Sequence, residues 1–352
     1  MPDLHLFNPE NDLALAHGEA NYTPPKPVQI FHNALQALPL WYAAPADCVY
    51  APDVDPQWWQ EMNRRFGLDV TQGSHGRPNP WGWSAHAVQQ FRRIGISEPF
   101  PDVNLIRQLS HRRTTVSIHR HLTAHGLLPY PLPPEPVEAT TTEQAMEHLT
   151  SGDAHFIKSP WSSSGRGVMD CTNMEPTHLR HVVQGIIDRQ GSVMIERKLQ
   201  RKRDFAMLFE CRNGAASYRG LSLFFNSNAT AYGGNIVAPQ STLQAMLGID
   251  AELLQCTATA VERALTDCVA AKGYEGPVGV DMMLYSEQRI CPIIEVNVRR
   301  TMGFVALSLA RFATDKPLCM RVIPNPTDVQ ANDALHLVPP SRHFAVTLSA
   351  LP

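Results

Sequence analysis

The chain has 352 residues, 43% of them hydrophobic and 18% charged, with a formal net charge of −3. That length accommodates two or three packed units, and the balance is globular rather than disordered. Mild acidity gives no broad basic face for nucleic acid or an anionic membrane, and no apolar run approaches the roughly 20 residues of a membrane span.

The N-terminus, MPDLHLFNPEND, carries neither a charged n-region nor an apolar h-region, so no signal peptide is expected. Residues 1–105 read as a small α/β unit. A strand at Leu4–Phe7 leads into Asn8-Pro9-Glu10-Asn11-Asp12. A helix at Val28–Leu38, a strand at Ala46–Tyr50, a helix at Pro56–Phe66, a strand near Leu68–Thr71 and a helix near Ser84–Ile94 follow. Alternation of this kind predicts a parallel sheet with crossover helices, and such sheets bind ligands where strand ends meet loops. Asn8, Glu10, Asn11 and Asp12 follow the first strand, and Asn8 and Asn11 are the substrate candidates there. A turn with an Asx cap is the competing structural role. The Gly76–Trp83 segment, GRPNPWGW, either lines a pocket or packs one unit against another.

One helix is expected from Ile106 through His125, with Gly126 as its stop. His121 and His125 are spaced as two ligands on one face. Without H-E-x-x-H, hydrogen-bonded histidines are favoured over zinc. Thr140 and Glu143 form a capping-box pattern that opens a helix over Glu143–Thr150. A strand at His155–Lys158 runs into the Ser/Gly loop WSSSGRGV, with Pro176 in the first turn of the next helix, which ends at Gln190. The strand Val193–Glu196 and a strand from Asp204 come after it.

Ser hydroxyls and exposed N–H groups can wrap phosphate oxygens, Gly permits close approach, and Lys158 stands at its strand's end to neutralise charge. The loop has neither the Walker pattern nor the three-glycine dinucleotide fingerprint. A further strand reaches Phe225 before the Gly-containing segment to Asn235. The helix Ala251–Lys272 has apolar spacing that marks it as core packing.

The stretch Gly279–Thr301 organises the rest. Two apolar strands, Val278–Tyr285 and Ile290–Val296, flank a polar turn and predict a hairpin. Acidic and amide groups stand where a buried strand should be apolar. Glu295 and Asn297 share a face, because side chains alternate along a strand. Asp281 joins that face if the register allows, and Pro292, which lacks an N–H, makes a bulge plausible. Two carboxylates and an amide oxygen suit a hard cation. Arg299 and Arg300 follow at once, as if to hold an anion.

The pattern D-x(n)-I-E-V-N-x-R, preceded in order by a strand lysine, a Ser/Gly loop and a strand ending in Glu196, resembles the ATP-grasp superfamily of the carboxylate–amine ligase type over roughly residues 110–305. The resemblance implies an α/β and α+β chain: an ATP-grasp fold with an N-terminal Rossmann-like, pre-ATP-grasp α/β domain. Its expected segments are residues 1–108 for that domain, 109–195 for the small (lid) subdomain, and 196–352 for the large C-terminal subdomain with the metal hairpin. ATP and Mg²⁺ are the implied cofactors, with two ions expected and Mn²⁺ as a substitute.

By the same resemblance Lys158 contacts the α- and β-phosphates, and the loop with Ser163, Ser164, Gly165, Arg166 and Gly167 closes over the β- and γ-phosphates. Main-chain groups of Glu196, Arg197, Lys198 and Leu199 hold adenine, and Asp204 holds ribose. Asp281, Glu295 and Asn297 bind the metal. Arg299 matches the family's arginine and, with Arg300 and Lys158, is expected to be catalytic. The family's lysine before the lid is replaced by Arg112 or Arg113, of which Arg113 is taken. Asn226, Tyr232 and Asn235 are the substrate candidates near the acceptor end.

The implied reaction joins a carboxylate to an amine, from amino-acid or peptide-like substrates, through an acyl phosphate, releasing ADP and phosphate. A kinase that phosphorylates a small molecule and a non-catalytic nucleotide-binding module are the rivals. The seven cysteines are scattered without a C-x-x-C pair, which reads as reduced thiols in a cytoplasmic protein. Residues 315–352 close the core or form an interface, which a homodimer would use. No nucleic-acid or membrane partner is expected.

Overall fold

The computed structural model describes residues 1–97, 99–149, 152–162, 165, 167–226, 232–286, 289–314, 316–326 and 334–351. The chain divides into two compact units. Unit one comprises Met1–Asn104, Gly220–Gly248 and Arg299–Pro352; unit two comprises Leu105–Arg219 and Ile249–Val298. The chain enters each unit more than once. Among the described residues no helix is long and apolar enough to cross a membrane.

Unit one begins with a parallel sheet in the order Thr71–Gln72, Cys48–Tyr50, Asp3–Leu6, Arg77–Pro80. Period-two alternation sends Leu4 and Leu6 to one face, against Cys48 and Phe91. Phe7 and Val49 join the larger core on the other face, with Trp41, Trp59 and Trp81. The helix Pro56–Phe66 has the expected bounds because both ends are written locally. Asp55 accepts from the Gln57 N–H at 2.9 Å, Pro56 occupies the first turn, and Gly67 closes the helix at φ 60°. The Trp-rich segment packs within this unit, with Trp81 buried edge-on to Phe7 at 5.0 Å.

Three helices of unit one escaped the periodicity reading. Asn11–His17 and Gln240–Leu247 span too few turns to show a stripe, and Met302–Leu309 is apolar on nearly every face and buried. The remaining strands of this unit, Tyr232–Val237, Leu318–Pro324, Phe344–Ala350 and Leu335–His336, lie in that order and pair antiparallel. They place Val237, Met320, Val346 and Leu348 in the same core as Trp41, so the C-terminal segment closes the core of unit one.

Unit two contains a four-stranded antiparallel sheet, Val137–Ala139, Val193–Arg197, His155–Lys158 and Val168–Asp170. The helices Thr142–Leu149 and Pro176–Gln190 contribute to its separate core of Ala145, Ile157, Val183 and Ile195. It also holds the long strands Arg201–Arg212, Gly276–Tyr285 and Arg289–Asn297. The single helix expected from Ile106 to His125 is two, Val103–Leu109 and Arg113–Ala124. The break lets the His111 ring pack edge-on to Trp161 at 4.6 Å, while the Arg112 N–H donates to the Pro160 carbonyl at 3.1 Å. The capping box sits one residue later than expected. Thr141 Oγ1 accepts from the Gln144 N–H at 3.3 Å, and Gln144 Oε1 accepts from the Thr140 N–H at 3.2 Å.

Candidate active site

The strands of unit two explain why acidic groups share a surface. Asp281 pairs directly with Glu295 across the hairpin, and Gly279 pairs with Asn297, so Asp281, Glu295 and Asn297 lie on one face. The register shifts between Asp281 and Met283, beside Pro292 on the facing strand, where a bulge was expected. On the other side of the same strand, Asp281 pairs with Ala206 and Met283 with Asp204, which brings Asp204 to that face too. Asn297 Nδ2 donates to Asp281 Oδ2 at 3.2 Å. The donor set is two carboxylates and an amide oxygen, all hard ligands, which fits Mg²⁺ by chemistry and by face.

Arg112 reaches this face. Its buried guanidinium donates to Glu295 Oε1 at 2.9 Å, to the Ser159 carbonyl at 3.0 Å and to Ser162 Oγ at 3.1 Å. Arg113, the residue taken from sequence, instead extends to Glu138 at 2.7 Å and is 56% exposed. The helix break described above turns the two neighbours in opposite directions, so of the pair it is Arg112 that reaches the carboxylate face.

Lys158 is buried at its strand's end, as expected, and its ammonium is ion-paired with the Glu196 carboxylate. The two strands are neighbours, with Lys158 opposite Met194 and Phe156 opposite Glu196. Ser162 is buried, and the Ser159 N–H donates to the Gly167 carbonyl at 2.8 Å. Gly165 and Gly167 adopt φ of 73° and 76°, and a Cβ on Gly167 would lie 2.9 Å from Ser159 Oγ, so glycine is required at that turn. Ser163, Ser164 and Arg166 lie outside the described residues.

Of the expected adenine strand, Arg197 pairs with Asp153 at 3.0 Å. Lys198 pairs with Asp170 at 2.6 Å, and its N–H donates to the Ala154 carbonyl at 2.8 Å. Leu199 packs with Ile294 against buried Met283, Tyr285 and Cys291, an apolar wall next to Asp204 along the strand. Burial pushes the Cys291 thiol up to about 12, which makes it packing rather than a nucleophile. Burial also raises the Asp204 carboxyl, against the pull of Arg201, which donates to it at 3.2 Å. Both histidines of the His121 and His125 pair have hydrogen-bond partners: His121 Nε2 meets Asp267 Oδ2 at 2.8 Å, and His125 Nδ1 meets the His121 carbonyl at 2.9 Å.

Unit one carries the other candidates. Asn8 is buried, with both amide ends on the Gly82 backbone: Nδ2 donates to the carbonyl at 2.8 Å, and Oδ1 accepts the N–H at 3.2 Å. Asn11 is buried against the same glycine, where a Cβ would lie 2.6 Å from its amide carbon and 3.1 Å from Arg299 Cβ. Both asparagines therefore pin the loop, the structural alternative to substrate contact.

Arg299 is held by Asp12 through Nε at 3.0 Å and Nη2 at 2.6 Å. Arg300 turns into unit one. Its guanidinium lies 4.7 Å from the Tyr42 ring centre, and Nη2 donates to Asn79 Oδ1 at 3.0 Å, an inward orientation unlike the anion-facing one expected. Tyr232 donates its hydroxyl to Asn235 Oδ1, while Asn235 Nδ2 donates to Ser222 Oγ at 2.8 Å. Asn235 is buried, so this pair ties strands together, and Asn226 is half-buried at its strand's end.

Sequence reasoning missed three contacts: Glu196 as the partner of Lys158, Arg112 on Glu295, and Asp12 as the clamp on Arg299. The polar run after the first strand was the sole local signal for the last; the other two are long-range.

No family model matches the sequence, and no curated protein matches it. Solved structures match along most of the chain. A biotin carboxylase from Campylobacter jejuni, in a beta-gamma-ATP complex, is similar at TM-score 0.55 and 11% identity, covering 99% of this chain and 86% of that one. An N5-carboxyaminoimidazole synthase from Aspergillus clavatus, with ADP and 5-aminoimidazole ribonucleotide, is similar at TM-score 0.50 and 13% identity, covering 89% and 95%. The biotin carboxylase domain of a Hydrogenobacter thermophilus 2-oxoglutarate carboxylase, with MgADP, ADP and bicarbonate, is similar at TM-score 0.51 and 10% identity, covering 99% and 86%. The chain has the ATP-grasp fold, with a Rossmann-like parallel sheet at its N-terminus.

Proposed function

We propose that this chain is an ATP-dependent ligase that joins a carboxylate to an amine. The observation that carries the reading is the pairing of Asp281 with Glu295, with Asn297 on the same face, in a chain of this fold. The neighbouring complexes add support, since one holds ADP with an aminoimidazole and another holds MgADP with bicarbonate. Residues 1–108, 109–195 and 196–352 then serve as acceptor-binding, lid and metal-binding segments. Free cysteines, several of them buried, agree with a cytoplasmic setting.

Each residue has a physical task in this reading. Lys158, desolvated and oriented by Glu196, offsets charge on the α- and β-phosphates. Arg112, fixed by Ser159 and Ser162, presents a second positive charge beside the carboxylates. When bound by Asp281, Glu295 and Asn297, Mg²⁺ supplies neutralisation of the β- and γ-phosphate oxygens. The substrate carboxylate attacks the γ-phosphorus, ADP leaves, and an acyl phosphate results. Arg299, pre-positioned by Asp12, stabilises that anion and the tetrahedral one that follows when the amine attacks. Leu199, Met283 and Tyr285 offer an apolar seat for adenine, with Asp204 placed for ribose.

The test is ADP and phosphate release from Mg²⁺-ATP with pooled amino acids and small carboxylic acids, with the products identified by mass. Release that needs both a carboxylate and an amine, with an amide product, supports ligation. A phosphorylated product without an amide replaces it with the kinase reading.

A further inference from the structure

Arg112 joins two parts of unit two that carry different tasks. Its guanidinium donates through Nε to the Ser159 carbonyl at 3.0 Å and through Nη2 to Ser162 Oγ at 3.1 Å, both at the base of the Ser/Gly loop. The same Nη2 stands 2.9 Å from Glu295 Oε1, on the face that Asp281 and Asn297 share. The backbone is tied as well, through the Arg112 N–H on the Pro160 carbonyl at 3.1 Å. The side chain is 5% exposed. Two uncharged oxygens and a backbone bond thus hold the guanidinium in place without help from Glu295.

From this arrangement we infer that Arg112 sets which form of the metal the face accepts: a divalent cation chelated by a polyphosphate, and not the free ion. The inference rests on the reading of Asp281, Glu295 and Asn297 as the metal ligands, and adds a selectivity to it.

Charge and lone pairs decide the matter. Two carboxylates less one guanidinium leave a single net negative charge on the face. Sites for hard cations set their affinity by the number of anionic ligands and by rigidity, so this is a weak site for a bare dication. The guanidinium also uses Glu295 Oε1, and a metal taking that carboxylate comes to rest beside an immobile positive charge. Like charges a few ångströms apart repel strongly where water is largely excluded.

A polyphosphate reverses both effects. It brings its own negative oxygens to the cation, and it gives the guanidinium fork a second anion to bind. The neighbouring cations do not share this role. Arg113 is 56% exposed and pairs with Glu138 at 2.7 Å. Lys158 has its charge offset by Glu196.

The experiment is equilibrium dialysis of Mn²⁺, used in place of Mg²⁺, against the full chain with and without ADP, on variants matched to wild type by circular dichroism. Without nucleotide, wild type should bind Mn²⁺ at least about tenfold more weakly than Arg112→Met and Arg112→Gln. The second variant keeps a hydrogen-bond donor and removes the charge. Arg113→Met, which deletes an arginine charge one residue away, should match wild type within about twofold. With ADP, wild type should retain Mn²⁺, and the advantage of the two Arg112 variants should close or reverse, because they lose a phosphate contact. Wild type that binds free Mn²⁺ as tightly as both variants, or Arg113→Met that gains as much as they do, overturns the inference and leaves the metal reading standing. Asp281→Asn added to Arg112→Met separates the two claims, since it should abolish the gained site. A gained site that survives Asp281→Asn, or no Mn²⁺ retained by any form even with ADP, overturns the metal reading, and the inference falls with it.

Discussion

Lys158 and Glu196 allow a structural role to be separated from a catalytic one within unit two. Their side chains are 7% and 15% exposed, and they form an ion pair on adjacent strands. Removing one partner of a buried pair costs about 3–5 kcal/mol, because the survivor is left charged without water. With Glu196 retaining some solvent access, Lys158→Met should cost about 2–4 kcal/mol. Adding Glu196→Gln removes the orphaned charge, so the double variant should recover to within about 1 kcal/mol of wild type. Turnover should not recover, because the charge facing the phosphates is gone in both. Urea unfolding followed by tryptophan fluorescence, with ADP release measured on the same samples, reads the two effects separately. A Lys158→Met protein as stable as wild type would refute the burial argument. A double variant that regains turnover would refute the catalytic one.

Three further outcomes follow from the same geometry. Arg112→Met should lower ADP release at least about tenfold, whereas Arg113→Met, which loses an exposed pair with Glu138, should stay within about twofold and within about 1 kcal/mol in urea. Gly167→Ala forces a methyl to 2.9 Å from Ser159 Oγ at a left-handed φ, so it should cost about 1–2 kcal/mol of loop stability and weaken ATP binding measured by calorimetry. Burial and the charges of Arg113, Arg107 and Arg112 push His111 down to about 3. Below the ordinary value of about 6.5 the unfolded chain binds a proton that the folded chain refuses. Stability should therefore fall as pH drops from about 6.5 toward 3, by up to ~1.4 kcal/mol per unit from this group, and His111→Asn should flatten that slope in urea titrations at pH 4.5–7.

Local signals were the legible ones. The helix Pro56–Phe66 was readable from Asp55, Pro56 and Gly67, and the strand His155–Lys158 from its apolar run and its stop. The shared face of Asp281, Glu295 and Asn297 was readable because strand alternation is strict and Pro292 announced the bulge. What was hidden depends on contacts far apart in sequence. Nothing local says that Arg112 turns inward and Arg113 outward; the Pro160 carbonyl and Glu295 decide it. Asn8, Asn11 and Asn235 read as substrate contacts because polar residues at strand ends often are. Burial against Gly82 or within a strand ladder gives them structural partners instead. Arg300 faces Tyr42 and Asn79, partners that no spacing rule connects to it.

The most direct test is Mg²⁺-dependent ADP release in the presence of the carboxylate and amine pools, run on wild type, Asp281→Asn and Glu295→Gln side by side. The account predicts release in wild type and a loss of roughly 100-fold or more in each variant, with circular dichroism unchanged. Wild-type rates in either variant would contradict the assignment of that hairpin face as the metal site, and with it the proposed chemistry.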